Sequence, residues 1–131
     1  MGRSIRLKCN DCSVSYDLRI GQGIRDNKIE NVLGHFDPET SELIRQKLLV
    51  LGADQYWNYR RMIGYCDSCK SYLEVPTFQI IENEKRYVTA GKCSCGSSVT
   101  LIDDDDQAGM NDLKCPQCSG KITMEPTGMW D

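Results

Sequence analysis

The sequence predicts a small metal-stabilised α+β protein with two metal sites, short antiparallel strands and one inserted α-helix. The cysteines occur only as close couplets, and a chain of 131 residues that is 40% hydrophobic and 8% aromatic is lean for a self-sufficient core. Short alternating runs of apolar and polar residues flank the couplets. The eight predicted metal ligands are Cys9, Cys12, Cys66, Cys69, Cys93, Cys95, Cys115 and Cys118.

Each couplet can present two sulfurs to one ion from a tight turn, so four couplets predict two four-thiolate sites, each holding one Zn2+. A disulfide scaffold is disfavoured, because such proteins begin with a secretory leader, whereas residues 1–7 are short and basic. Thiols two or three residues apart also seldom suit a structural disulfide. Iron, in a rubredoxin-like or cluster role, is the remaining alternative.

The runs beside the couplets favour strands. Residues 14–20 after the first couplet alternate strictly between apolar and polar side chains, which is typical of a half-buried strand. Similar runs enter or leave the other couplets at residues 62–65, 72–75, 87–89, 99–102 and 121–124. This repetition indicates two zinc ribbons, which are small folds of short strands held by a four-ligand zinc site.

Two ways of sharing the couplets between the ions are plausible, because chains rarely cross or thread. In the sequential pairing, the first couplet joins the second and the third joins the fourth. In the nested pairing, the second joins the third and the first joins the fourth. The sequential pairing is favoured, because the 19 residues between Cys95 and Cys115 have the tidiest ribbon spacing in the chain. It predicts a first ribbon at residues 1–82, with a helical insertion at about 21–61, and a second at 83–131.

The insertion contains the predicted helix. Asp37 followed by Pro38 is a helix start, because the aspartate side chain can accept from free N–H groups and proline suits the first turn. Gly52 provides a left-handed stop. The helix is therefore expected from about Pro38 to Leu51, with apolar residues at helical spacing: Leu43, Ile44, Leu48 and Leu51.

After the helix, residues 55–61 form the richest aromatic and basic cluster of the chain. One interpretation packs its rings between the helix and the first ribbon. The other makes it a surface for a partner, on which bases or a peptide stack and the two arginines contact anions. The residues of this candidate partner surface are Tyr56, Trp57, Tyr59, Arg60 and Arg61.

Charge disfavours nucleic acid as the partner. The formal net charge is −3, and each four-thiolate zinc site adds two negative charges, which gives about −7. A nucleic-acid role would use Arg60, Arg61 and Trp57 with the basic start at Arg3, Arg6 and Lys8. No stretch approaches the roughly 20 apolar residues of a membrane span. A cytoplasmic chain whose partner is another protein is expected.

No residue set predicts an enzyme. His35 is the only histidine, and eight thiolates already satisfy two zinc ions, so a capping or surface role is favoured for it. The Gly21-Gln22-Gly23 segment lacks the third glycine of a dinucleotide fingerprint and is interpreted as a bend. Both predicted zinc sites have four protein ligands, whereas a catalytic zinc keeps one position open.

The run Asp103-Asp104-Asp105-Asp106 is expected to be a solvated, mobile loop. It also resembles the zinc ribbons of transcript-cleavage factors, in which an acidic pair at a hairpin tip reaches a polymerase's catalytic magnesium. That resemblance covers about 26 residues and implies the same role for residues 103–106.

A broader resemblance is to the zinc-ribbon class. Residues 115–120, Cys-Pro-Gln-Cys-Ser-Gly, are similar to its Cys-Pro-x-Cys-Gly-Gly knuckle, and residues 8–12 and 65–69 fit its first couplets. The layout also resembles small bacterial zinc-ribbon proteins of unassigned function. The resemblance implies metal binding, and with the closed sites it predicts a protein-interaction module or adaptor. The alternatives are a nucleic-acid-binding or transcription-associated ribbon and a rubredoxin-like electron carrier.

Overall fold

The computed structural model describes residues 2–50 and 56–130. A 3-10 turn at Ile24–Asn27 precedes the first helix. The elements in chain order are β1 (Gly2–Cys9), β2 (Ser15–Gly21), α1 (Ile29–Leu33), α2 (Pro38–Val50), β3 (Tyr56–Cys66), β4 (Ser71–Glu82), β5 (Lys85–Ala90), β6 (Thr100–Ile102), α3 (Gln107–Asn111) and β7 (Ile122–Trp130).

The seven strands form one antiparallel sheet in the order β5-β4-β3-β2-β1-β7, and β6 pairs with β3 beside this path. β2 meets β3 only at Gly21 and Arg61. Beyond that point the same side of β3 pairs with β6, from Ile63 to Tyr65. The sheet therefore divides where β2 leaves β3.

One core cluster lies between β1, β2, β3 and the segment before β7. It forms because alternate residues of β1 and β2 face inward, and Ile5, Leu7 and Ile20 are almost fully buried. Two cysteines, Cys9 and Cys115, belong to this cluster, so the apolar core extends to their sulfur atoms. Its buried members are Ile5, Leu7, Cys9, Leu18, Ile20, Ile63, Tyr72, Met110, Leu113, Cys115 and Ile122.

A second core cluster lies between the helical insertion and the long β3–β4 hairpin. Trp57 stacks on Phe78 with ring centroids 5.4 Å apart, and the fully buried Tyr59 contacts the ring of Phe36 edge-on. The predicted packing against the helical insertion is therefore present for Trp57 and Tyr59, whereas Tyr56 is 61% exposed. The buried members are Val32, Leu33, Phe36, Ile44, Tyr59, Phe78 and Ile80.

The predicted start of α2 is confirmed. The Asp37 side chain accepts the Thr40 N–H at 2.6 Å, and its backbone carbonyl accepts the Ser41 N–H at 2.9 Å. The predicted end at Leu51 and Gly52 lies outside the described residues. α1 and α3, of five residues each, were not predicted, because so short a helix carries little periodic signal.

The expected apolar stripe of α2 is wrong in one position. Ile44 is fully buried and Leu48 packs against the second cluster, but Leu43 remains 49% exposed, while Thr40 and Ser41 are buried instead. The Ser41 hydroxyl donates to the Leu33 carbonyl at 2.8 Å. Relative to the expected apolar stripe, α2 is rotated so that a polar contact with α1 takes a buried position that Leu43 does not.

The two adjacent residues Ile44 and Leu43 give a matched test of this rotation. Truncating Ile44 to valine should lower the free energy of unfolding by about 1 kcal/mol, because a fully packed methyl group is lost. Leu43→Val, which also removes one carbon, should alter it by less than about 0.5 kcal/mol, most of it from the lower helix propensity of valine. Urea unfolding of the two metal-loaded variants measures both values, and equal losses would place Leu43 in the core.

The small α+β class with a mostly antiparallel sheet is confirmed. The strands are longer than expected, with 11 residues in β3 and 12 in β4. The division into residues 1–82 and 83–131 stays a prediction, although β7 of the second part pairs with β1 of the first. None of the described helices is long and apolar enough to cross a membrane.

Candidate metal centres

The eight cysteines form two groups of four, which we call site A and site B. Within each group the sulfurs all lie within 4.8 Å of one another. Site A comprises Cys9, Cys12, Cys115 and Cys118, and site B comprises Cys66, Cys69, Cys93 and Cys95.

The pairing of β1 with β7 builds site A. Cys9 is the last residue of β1 and lies opposite Ile122, the first residue of β7. The Asn10 N–H donates to the Lys121 carbonyl at 3.0 Å, which joins the two turns. As a result, Cys9 Sγ lies 3.4 Å from Cys118 Sγ. The second contact across the turns, between Cys12 Sγ and Cys115 Sγ, measures 3.7 Å.

The turn of the β3–β4 hairpin carries half of site B. Cys66 ends β3, and Lys70 closes the turn with a left-handed φ of 53°, at the position where the common ribbon knuckle has glycine. The other half is a loop held by β6, because Tyr65 pairs with Thr100. Across site B, Cys66 Sγ is 3.6 Å from Cys95 Sγ, and Cys69 Sγ is 3.7 Å from Cys93 Sγ.

These distances fit tetrahedral coordination. Four sulfurs at about 2.3 Å from a zinc ion lie about 3.8 Å apart. The measured cross-couplet distances of 3.4 to 3.7 Å approach that value and exceed the disulfide bond length of about 2.05 Å. All eight thiols are free. Four soft ligands without a carboxylate or imidazole favour zinc or iron over harder ions.

Backbone N–H groups favour anionic sulfur at both sites. Burial raises the pKa of Cys9, but N–H groups of Asp11 and Cys12, 3.3 and 3.4 Å from its sulfur, help lower that pKa to about 7. At site B, hydrogen bonds from the Ser97 side chain and backbone lower the pKa of Cys95 to about 6.

Three other thiols, Cys12, Cys69 and Cys118, have a raised pKa. Hydrogen bonding to Cys95 and its neighbours raises the pKa of Cys69 to about 12. For Cys118, the Gly120 backbone lowers the pKa, but hydrogen bonding to the other three cysteines of site A and burial together outweigh it and raise the pKa to about 12. Each site therefore combines thiols of lowered and raised pKa, and a divalent ion can replace their protons.

The sequential pairing of the couplets is wrong, because the sulfurs group in the nested arrangement. The cause is a contact between distant segments: β1 pairs with β7 along its whole length, from Gly2 opposite Trp130 to Cys9 opposite Ile122. This brings the first couplet to the fourth, and the β3–β6 pairing brings the second to the third. The prediction of two four-cysteine groups that could hold metal is supported by the geometry.

Most side chains of the predicted partner surface are buried or paired with other residues of the chain. Tyr59 is fully buried, Trp57 is half-buried, and Tyr56 has the largest exposed fraction of the five. Arg60 pairs with Asp104 at 2.6 Å, and Arg61 lies 3.9 Å from a Glu74 oxygen. A role in partner binding stays a prediction for this cluster.

The acidic run differs from the expected solvated loop. It connects β6 to α3, and Asp104 is buried between Arg3 and Arg60, with an ion pair to each. The flanking Asp103 uses its side chain to accept the Asp105 N–H at 3.0 Å. The segment is therefore no hairpin tip, and Asp104 has turned inward. Nothing in the sequence near Asp104 indicates this burial, because its partners Arg3 and Arg60 lie far away along the chain.

His35 belongs to neither cysteine group. Its Nε2 lies 3.3 Å from an Asp26 carboxylate oxygen, and its ring stacks on Tyr59 with centroids 5.4 Å apart. The other Asp26 oxygen accepts the Gly23 N–H at 2.7 Å. Gly21 ends β2 with a φ of 93°, and the expected bend at residues 21–23 stays a prediction.

Comparison of the chain with family models, with characterised proteins and with solved structures gave no match. The features that indicate a function are therefore the two cysteine groups and the surface around them.

Proposed function

We propose that the chain is a zinc-binding protein in which both four-cysteine sites are structural and the face formed by α2 and β5 binds another protein. The observation that carries the structural role is that each group has four sulfurs in reach of one ion. Four protein ligands complete a tetrahedral zinc site and leave no position for water or substrate. Zinc-ribbon architecture for both sites is part of this proposal.

An exposed apolar face supports the interaction role. Leu43 and Val50 of α2 and Tyr87 of β5 line a groove of about 470 Å³, and Val88 is exposed on the same strand. Monomeric proteins seldom expose contiguous apolar side chains without a binding role.

β5 can accept a further strand. It lies at the end of the sheet and, within the described ranges, pairs with β4 alone. The other end strand, β7, is less suited, because it contains Pro126 and Gly128 and its pairing with β1 is irregular between Ser4 and Ile5. An extended segment that pairs with β5 would gain main-chain hydrogen bonds there.

The charges beside the groove select the partner. The charged residues of β5 and of the groove lining are all basic: Lys47, Lys85 and Arg86. In a parallel pairing of β5 with β5 of a second copy, Lys85 and Arg86 would face like charges, whereas an acidic segment is complementary to them. The proposed partner is therefore an extended acidic segment of another protein, with apolar side chains for the groove.

A photo-reactive residue in place of Tyr87 tests this interaction in the native host. The captured protein should contain such an acidic segment. With that protein purified, the Lys85→Glu/Arg86→Glu variant should bind at least about tenfold more weakly. The Lys28→Glu/Arg45→Glu variant, with the same change of charge away from β5, should bind within about twofold of the wild type. Equal affinity for all three would contradict docking at β5.

The nucleic-acid alternative loses support from the pairing of its arginines. Arg3 and Arg60 bind one buried carboxylate, and Arg61 lies close to Glu74. The iron alternative has the same ligand set as zinc and is decided by colour, because an iron tetrathiolate is red and a zinc site is colourless.

A further inference from the structure

A polar cleft, separate from the two cysteine groups, lies beside the position where Gly21 of β2 pairs with Arg61 of β3. Two adjoining depressions of about 310 and 250 Å³ share Arg19, His35 and Arg61 in their walls. We call them together the basic cleft. Neither depression includes a cysteine of site A or site B. The other lining residues that matter for binding are Gly23, Arg25, Asp26, Tyr59, Glu74 and Trp130.

The cleft carries more positive than negative charge. Three arginines face two carboxylates, and His35 adds a further charge when protonated. Asp26 is already engaged, because its two oxygens meet the Gly23 N–H and His35 Nε2. One carboxylate, that of Glu74, remains for the arginines.

Glu74 cannot satisfy the donors around it. One of its oxygens accepts the backbone N–H of Arg19 at 2.8 Å. The other lies 3.7 Å from the Arg19 guanidinium and 3.9 Å from that of Arg61, which is longer than a hydrogen bond. Each guanidinium has five N–H donors, so the cleft lacks acceptors.

Tyr59 adds to this lack of acceptors. Its side chain lines the smaller depression, and its buried hydroxyl has no hydrogen-bond partner among the described residues. Burial raises the pKa of this phenol, and the nearby Arg61 guanidinium opposes that rise. A buried hydroxyl without a protein acceptor is uncommon in a folded chain, and this one is available to donate to an oxygen of a ligand in the depression.

The two shared arginines are held in place before any ligand arrives. Both guanidinium groups lie over the Trp130 ring, at 5.6 Å for Arg19 and 5.0 Å for Arg61. The indole is fixed in turn, because its N–H donates to the Ile20 carbonyl at 3.1 Å. Arg61 is only 17% exposed, whereas Arg19 is 54% exposed and reachable from solvent. Stacked, preorganised arginines are suited to planar recognition of an oxyanion.

We propose that the basic cleft binds the oxyanion group of a small ligand, either a phosphate or a carboxylate, through the guanidinium groups of Arg19 and Arg61. The ligand oxygens supply the acceptors that Glu74 alone does not provide. Charge-assisted hydrogen bonds of this kind are short and strong and are often bidentate with arginine. Trp130 positions both guanidinium groups, and Asp26 positions His35 at the edge of the cleft.

The test uses the zinc-loaded full chain labelled with 15N. Inorganic phosphate and, in a separate titration, acetate are added at constant ionic strength. The Trp130 indole N–H signal should shift and saturate with at least one of the two anions, while the indole signal of Trp57, which stacks on Phe78 outside the cleft, stays in place. The anion with the higher affinity identifies the ligand class. A linear, non-saturating response to both anions would overturn the proposal.

Variants then locate the site. Arg19→Gln and Arg61→Gln should each lower the affinity for the anion by about tenfold, which is typical of losing one charge-assisted hydrogen bond. Arg45→Gln removes a charge from the exposed face of α2 and should leave the affinity within about twofold. Because Arg61 also packs on Trp130, the exposed Arg19 is the decisive position. Unchanged affinity in Arg19→Gln would overturn the proposal even if Arg61→Gln fails to fold.

Discussion

Replacing Cys115 by serine should remove one of the two proposed zinc ions and unfold the part of the chain built on β1 and β7. A structural zinc site contributes roughly 10 kcal/mol or more to folding, because the site forms only in the folded chain. The total stability of a domain is only about 5 to 15 kcal/mol. Cys115 is nearly fully buried in the first core cluster, so serine also places a hydroxyl group among the apolar side chains of that cluster. Elemental analysis and a thermal scan measure the lost ion and the lowered midpoint.

The change has a control in the same turn. Gln117→Ser alters an exposed side chain whose residue contributes only its backbone N–H, 3.4 Å from Cys115 Sγ. It should retain two zinc ions and the wild-type midpoint. A Cys115→Ser variant that kept its midpoint would contradict a structural role for the metal.

Hydrogen exchange shows which segments depend on Cys115. In the nested arrangement, the amides of β1 should lose protection together with those of β7, because Cys12 and Cys115 share site A. The β3–β4 hairpin should retain more protection, because site B remains complete. Loss confined to residues 93–118 would instead favour the sequential pairing.

Removing the Asp104 charge should cause the second largest loss of stability. The side chain is 5% exposed and pairs with Arg3 and with Arg60, 2.6 Å away. Asp104→Asn leaves two arginines facing a neutral amide, and breaking a buried ion pair from one side costs about 3 to 5 kcal/mol. Both arginines are partly exposed and keep contact with water, so a smaller loss of about 2 kcal/mol is expected. Urea unfolding of the metal-loaded variant measures it.

The neighbouring Asp105 provides the matched control. It belongs to the same acidic run but is exposed, so Asp105→Asn should change the free energy of unfolding by less than about 0.5 kcal/mol. If the two variants lost equal stability, the acidic run would behave as the solvated loop that its composition predicts, and the arginine pairs of Asp104 would carry little energy.

The elements that sequence alone predicted well are those with local signals. Asp37 and Pro38 begin α2 through contacts within one helical turn, and the alternation in residues 14–20 matches β2. The cysteine couplets are local in the same sense, because a turn of three or four residues sets the distance between two sulfurs. Such signals depend on neighbours in sequence, so they survive without knowledge of the fold.

The pairing of the couplets could not be predicted in this way. It depends on β1 meeting β7 across more than a hundred residues, and all couplet pairings satisfy the same four-thiolate chemistry. The spacing between Cys95 and Cys115 suggested a ribbon hairpin, but residues 100–111 form β6, the acidic run and α3. Site A closes through the strand order of the sheet.

Two other features were hidden for related reasons. A run of four aspartates does not indicate which one is buried, because that depends on Arg3 and Arg60 from two other strands. The basic cleft likewise combines β2, β3, β4, the segment around α1 and the last residue of β7. Of the residues that line the cleft, Tyr59 and Arg61 belong to the cluster that composition indicated, and the others do not.

The metal content of paired cysteine variants tests the central claim most directly. The account predicts two zinc ions in the wild-type chain, one in Cys12→Ser/Cys118→Ser, which damages site A alone, and none in Cys12→Ser/Cys66→Ser, which damages both sites. Fewer than two ions in the wild type, or one ion in Cys12→Ser/Cys66→Ser with none in Cys12→Ser/Cys118→Ser, would contradict it.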